Sequence, residues 1–139
     1  MEAETPATQP ELSRDLAFVL RQLVPPGIDI VFNLSAPALE ELTSRATEDM
    51  VSIAREAISN AVRHGQPSKI GVDLRQTEDE TALTIQDNGL GFDPAAVRSG
   101  LGSVTMRTRA DRLGARLSVV SIPGMGSTVR VTVARRPEE

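Results

Sequence analysis

Apolar positions recur in two rhythms along the chain, and the switch from one to the other marks out the elements. Leu12, Leu16, Val19, Leu20 and Leu23 recur at helical spacing, which predicts an amphipathic helix stopped by Pro25-Pro26-Gly27. Ile28, Ile30, Phe32 and Leu34 then alternate as a half-buried strand. After Ser35-Ala36-Pro37 the helical rhythm returns, strongest from Thr47 to His64, with Gly65 as its terminating residue. Ile70, Val72 and Leu74 predict a second strand. Ala82, Leu83 and Ile85 predict a third, paired with the second as a hairpin through the turn at Gln76 to Glu80. A glycine-bearing loop from Asp87 to Asp93, a Pro94-started turn and a glycine pair at Gly100 and Gly102 lead to a helix from Ser103 to Leu113, ended by Gly114. Leu117 and Val119, then Val129, Val131 and Val133, give two last strands joined by the turn-rich run Ile122-Pro123-Gly124-Met125-Gly126. Strands joined by short turns, with helices between some of them, predict an α+β fold. Its form is a two-layer sandwich, with a mixed sheet of about five strands on about three helices. Residues 1–10 lack periodicity and read as a flexible tail or linker, 11–135 as one domain and 136–139 as a charged tail.

Composition narrows the function classes. With no cysteine among 139 residues, disulfides, thiolate metal sites and cysteine nucleophiles are excluded. Phe18, Phe32 and Phe92 are the only aromatics, so stacking platforms for bases have almost nothing to be built from. A formal charge of −4 also lacks the basic excess of a phosphate-backbone binder, so no nucleic-acid partner is expected. No run approaches the ~18 apolar residues of a membrane span, and the polar, acidic start is not a signal peptide, so a cytoplasmic domain without membrane contact is expected.

Three segments concentrate chemistry, and each also has a purely structural reading. On a helical wheel Met50, Ile53, Ala54, Ala57, Ile58 and Ala61 share an apolar arc, and Glu56, Asn60 and His64 form a polar ridge along its border. That ridge is either a binding edge or a boundary stripe bonded within the protein. Asp87-Asn88-Gly89-Leu90-Gly91 follows a strand directly, so Asp87 stands where the sheet ends, as a ligand carboxylate or as a solvated turn residue. Gly100-Leu101-Gly102 opens a helix whose first-turn N–H groups suit an anion, or else hinges a surface loop. The third glycine of a dinucleotide fingerprint is absent, as are the ligands of a calcium loop. The single histidine excludes a paired-histidine zinc site.

Taken in order, Glu56-Ala57-Ile58-Ser59-Asn60-Ala61-Val62-Arg63-His64, Asp87-Asn88-Gly89-Leu90-Gly91, Gly100-Leu101-Gly102 and Gly126-Ser127-Thr128 resemble the N box and glycine boxes of the GHKL ATPases. The resemblance runs from Leu12 to Ala134. Within that superfamily the chain is most similar to the catalytic and ATP-binding domain of sensor histidine kinases that pair with response regulators carrying helix-turn-helix output domains. Asn60-Ala61-Val62-Arg63-His64, the short stretch between Gly91 and Gly100, and Met106 with Arg109 carry that closer likeness.

The resemblance implies ATP and Mg²⁺ as cofactors. It gives Asp87 the exocyclic amine of adenine, an arrangement that selects against guanine because guanine presents an acceptor there. Gly89 and Gly91 would let the base approach, and Thr128 would help hold it through water. Asn60 would be the protein ligand of the metal. Arg63, His64 and the Gly100, Leu101, Gly102 turn would meet the phosphates. Glu56 would act as general base or orient the attacking group. It also implies partners: the dimerisation and phosphoacceptor helices of a kinase, and through them a response regulator. His64, the only histidine, lies inside the nucleotide motif and is a poor phosphoacceptor. A histidine kinase catalytic domain, monomeric in isolation, is the leading expectation. The alternatives are an anti-sigma-factor-like serine kinase of the same fold and a nucleotide-sensing interaction module.

Overall fold

The computed structural model describes residues 9–91 and 101–135. Residues 1–8 and 136–139, and the expected Pro94 turn with Gly100, lie outside them. Helix α1 spans Gln9–Arg21, so it begins inside the segment expected to be tail. Strand β1 (Asp29–Leu34) follows. The helical stretch after Ser35 divides into α2 (Ala36–Glu41) and α3 (Ser44–Asn60). The division is local chemistry: the Ser35 hydroxyl accepts from the Ala38 N–H at 3.2 Å, and the Thr43 hydroxyl starts a new helix by accepting from the Ala46 N–H at 3.1 Å. The described residues therefore hold four α-helices rather than about three. Strands β2 (Lys69–Gln76) and β3 (Glu80–Asp87), helix α4 (Leu101–Leu113), and strands β4 (Arg116–Ile122) and β5 (Gly126–Ala134) complete the order.

The sheet order is β1-β2-β3-β5-β4. β1 and β2 are parallel, connected through α2 and α3, and every other pair is antiparallel. One face carries the core: Ile70, Val72 and Leu74 of β2, Leu83 and Ile85 of β3, and Val129 and Val131 of β5 are buried against Met50, Ile53, Ala57 and Ile58 of α3 and Met106 and Ala110 of α4. Alternation on β3 brings Thr81, Leu83, Ile85 and Asp87 to this same buried side. A carboxylate is thus the last core-facing residue of a central strand, where the apolar layer runs out.

Candidate functional site

Asp87 is 7% exposed, and its Oδ1 accepts the Gly89 N–H at 2.8 Å, which fixes the carboxylate's direction. The loop after it is held at three points. Asn88 Oδ1 accepts from the Ser68 and Lys69 N–H groups at 2.9 and 3.0 Å, the Leu90 N–H donates to the Gly65 carbonyl, and the Gly124 N–H donates to the Leu90 carbonyl. Gly89 is required by space: a Cβ there would collide with the Gly65 carbonyl and press on Asp87 Oδ1. Gly91 has φ +67° and lies against the Ile122 carbonyl, so it needs both the left-handed conformation and the missing side chain.

Helix α3 does not stop at Gly65 in the expected way. It widens into a π-helical turn, Ala61–Gly65, and the left-handed residue that ends it is Gln66, at φ 50°. Gly65 is buried, and the Asp87 loop packs directly on it. This widening alters the ridge read from helical spacing. Glu56 and Asn60 remain half-buried along one edge, but His64 is exposed. Arg63 folds back instead: its Nη2 donates to Asn60 Oδ1 at 2.9 Å and lies 3.8 Å from Glu56 Oε2. A guanidinium thus already bridges the amide oxygen and the carboxylate.

Thr128 is not brought to Asp87. In the β3–β5 pairing Asp87 faces Ser127, whereas Thr128 faces Gln86. Cross-strand partners share a face, and the next residue along points to the other one. The hydroxyl beside Asp87 therefore belongs to Ser127, which pairs in turn with the buried Ser121 of β4 across an Oγ–Oγ distance of 3.0 Å. The sequence reading missed Ser127 and Ser121. Strand parity and not residue type decides which hydroxyl faces the carboxylate, and that parity can be counted only once β3 and β5 are known to pair. Leu101 and Gly102 form the first turn of α4. Gly100 lies outside the described residues.

A concavity of about 550 Å³ lies elsewhere, on the sheet face opposite the described helices, among Lys69, Gly71, Thr84 and Arg130. None of the candidate residues lines it. Among the described residues no cluster of three or more His, Cys, Asp or Glu side chains could hold a metal by itself. The Glu56–Asn60 pair, one carboxylate and one neutral oxygen, suits a hard cation that draws its remaining ligands from phosphate and water.

The described residues thus hold a buried carboxylate at the end of a central strand, a glycine loop closing on a helix terminus and a half-buried Glu–Asn edge on that helix, all on a two-layer sandwich. Residues 46–137 match the family described as "Histidine kinase-, DNA gyrase B-, and HSP90-like ATPase", and the chain belongs to that family. It is an ATPase domain of the kind that sensor histidine kinases carry. It is 36% identical over 100 residues to Sensor protein VraS of Staphylococcus epidermidis, covering 71% of this chain and 29% of that protein. To Sensor protein VraS of Staphylococcus saprophyticus it is 33% identical over 128 residues, covering 91% and 35%. The chain spans about a third of the length of these curated relatives. Among solved structures, the histidine kinase domain of the Erythrobacter litoralis blue-light activated kinase superposes with a TM-score of 0.70 at 16% identity, over 96% of this chain and 65% of that one. The ATP binding domain of PrrB from Mycobacterium tuberculosis does so with a TM-score of 0.66 at 18% identity, over 98% and 100%. The last two likenesses concern the fold.

Proposed function

We propose that this domain binds Mg²⁺-ATP and passes the γ-phosphoryl group to a histidine of separate dimerisation and phosphoacceptor helices, which then serve a response regulator. The observation that carries the reading is the buried, pre-aimed Asp87 carboxylate with the Ser127 hydroxyl beside it. Asp87 accepts the adenine amine, and Ser127 takes the supporting role first expected of Thr128. Gly89 and Gly91 let the purine edge reach the loop. Toward the phosphates, Asn60 would hold the metal, and Arg63, His64 and the first turn of α4 at Leu101 and Gly102, with Gly100 before it in sequence, would meet the negative charge. When bound, the metal neutralises the triphosphate.

Arg63 has two positions in this scheme. Without nucleotide it sits on Asn60 and Glu56. With nucleotide it yields Asn60 Oδ1 and turns to phosphate oxygen, which frees Glu56. In the transfer, an unprotonated imidazole nitrogen of the partner attacks phosphorus, the bond from phosphorus to the β,γ-bridging oxygen breaks and ADP leaves. Glu56 holds the attacking ring through its other N–H and accepts that proton. The domain acts in the cytoplasm, where ATP is available. In isolation it is a monomer.

Calorimetric titration tests the base contact. Asp87→Asn replaces a charged acceptor and is expected to weaken ATP binding by about 10- to 100-fold, the worth of a hydrogen bond to a charged group. Unchanged affinity would overturn the assignment. Incubation with labelled ATP and isolated phosphoacceptor helices should give an acid-labile phosphoprotein, and an acid-stable product would mean a hydroxyl acceptor instead.

A further inference from the structure

The scheme above leaves one buried charge unused. Asp49, on the same α3 helix as Glu56 and Asn60, is 1% exposed. Its Oδ1 accepts from Arg109 Nη1 of α4 at 3.1 Å. Its Oδ2 has no hydrogen-bond partner among the described residues, and Arg112 Nε stands 3.9 Å away. A buried ion pair is a poor stabiliser, because desolvation offsets most of the attraction and an apolar pair of similar volume serves as well or better. It does fix one geometry. Among the residues of α4 whose side chains are described, only Met106 and Ala110 are fully buried, and their contact with the core is non-directional. A charge-assisted hydrogen bond from Arg109 pins the helix at one rotation and one height.

The position of that pin matters. Asp49 lies seven residues before Glu56, two turns or about 10 Å along α3, and Arg109 lies eight residues after Leu101, about 12 Å along α4. The pair therefore joins the helix that carries the metal-side residues to the helix whose first turn is read as facing the phosphates.

We propose that Asp49, through its buried ion pair with Arg109, is a positioning residue for the triphosphate half of the site: it sets the start of α4 against the Glu56–Asn60 edge. The proposal rests on the ATP reading above. It concerns the phosphate end alone, because Asp87, Ser127 and Gly89 are held by the sheet and its loops and do not depend on α4.

The test is a titration series with adenosine, ADP and ATP, each with Mg²⁺, on the wild-type domain, Asp49→Asn, Arg109→Met and the paired Asp49→Leu/Arg109→Met variant. In Asp49→Asn and Arg109→Met, adenosine should bind as in the wild type, while the gain in affinity from adenosine to ATP should shrink about five- to tenfold, as for a residue coupling two elements. The paired variant keeps the fold if the single ones do not. It should melt near the wild type yet keep the reduced gain. A loss shared equally by adenosine and ATP, an unchanged gain beside a lowered melting temperature, or a gain restored in the paired variant would each overturn the positioning role. Wild-type protein that fails to bind ATP at all would overturn the functional reading itself.

Discussion

At the residue scale, the site turns on which hydroxyl stands beside Asp87. Ser127 and Thr128 are adjacent in sequence and similar in chemistry, but they lie on opposite faces of β5. Removing one Oγ therefore has a face-dependent consequence. Ser127→Ala should weaken ATP binding roughly 2- to 10-fold, the net worth of one neutral hydrogen bond. Thr128→Ala should stay within about twofold of the wild type, because its side chain points to the sheet face opposite Asp87. Calorimetry on the two variants decides it, and the reverse ranking would return the role to Thr128. Asp87 was legible in the sequence because it follows an apolar strand and precedes two glycines. Ser127 was not, since its role is set by the register between β3 and β5, and no local pattern encodes which strands pair.

At the scale of elements, the end of α3 and the Asp87 loop join without room for a side chain. Gly65 and Gly89 meet backbone to backbone, and the Leu90 N–H donates to the Gly65 carbonyl. Gly89→Ala must push these segments apart, at a cost of about 1 to 3 kcal/mol, the range for overpacking. Denaturant unfolding should show this as a lowered midpoint, and an unchanged midpoint would mean the loop has room to move. Helical periodicity placed Glu56 and Asn60 correctly on one edge. It does not fix the direction of His64, because a wheel drawn at one residue angle fails where the helix widens into a π turn. The break between α2 and α3 was present in the sequence as Thr43 three residues ahead of Ala46, but its capping role shows only once the hydroxyl is seen to bond.

A second joint between elements leads to a prediction for stability against pH. Glu41, at the end of α2, receives Arg135 Nε and Nη2 on its two oxygens at 2.9 and 2.8 Å. The Arg135 hydrogen bond, with a smaller contribution from the Arg135 charge and from Gln76, holds its carboxyl below the usual carboxylate value against the opposing effect of desolvation. A carboxyl lowered on folding adds stability above its unfolded pKa and loses it as pH falls through its folded one. The stability difference between wild type and Glu41→Gln should therefore be present at neutral pH and vanish on acidification through the carboxylate range. Parallel pH profiles for the two proteins would show that this pair contributes nothing.

For the whole molecule, the described helices lie on one face of the sheet, and Asp87, its glycine loop, Gly65 and Ser127 meet at one end of β3 and β5. The α+β class and all five strands could be read from the apolar rhythm, because alternation and 3.6-residue spacing each persist over several residues. The strand order could not, since the insertion of β5 between β3 and β4 depends on long-range pairing. Among the described residues no helix is long and apolar enough to cross a membrane. The buried end of the sheet and the concavity near Lys69 and Arg130 are two separate places a ligand could occupy, and the account assigns the nucleotide to the first.

The most direct test is a crystal structure of the domain with Mg²⁺ and a non-hydrolysable ATP analogue. The account predicts the adenine amine within about 2.7 to 3.2 Å of an Asp87 carboxylate oxygen, with Ser127 on the same side of the base and Arg63 turned away from Asn60 toward phosphate. A purine bound elsewhere, with Asp87 out of reach of the base, would contradict it.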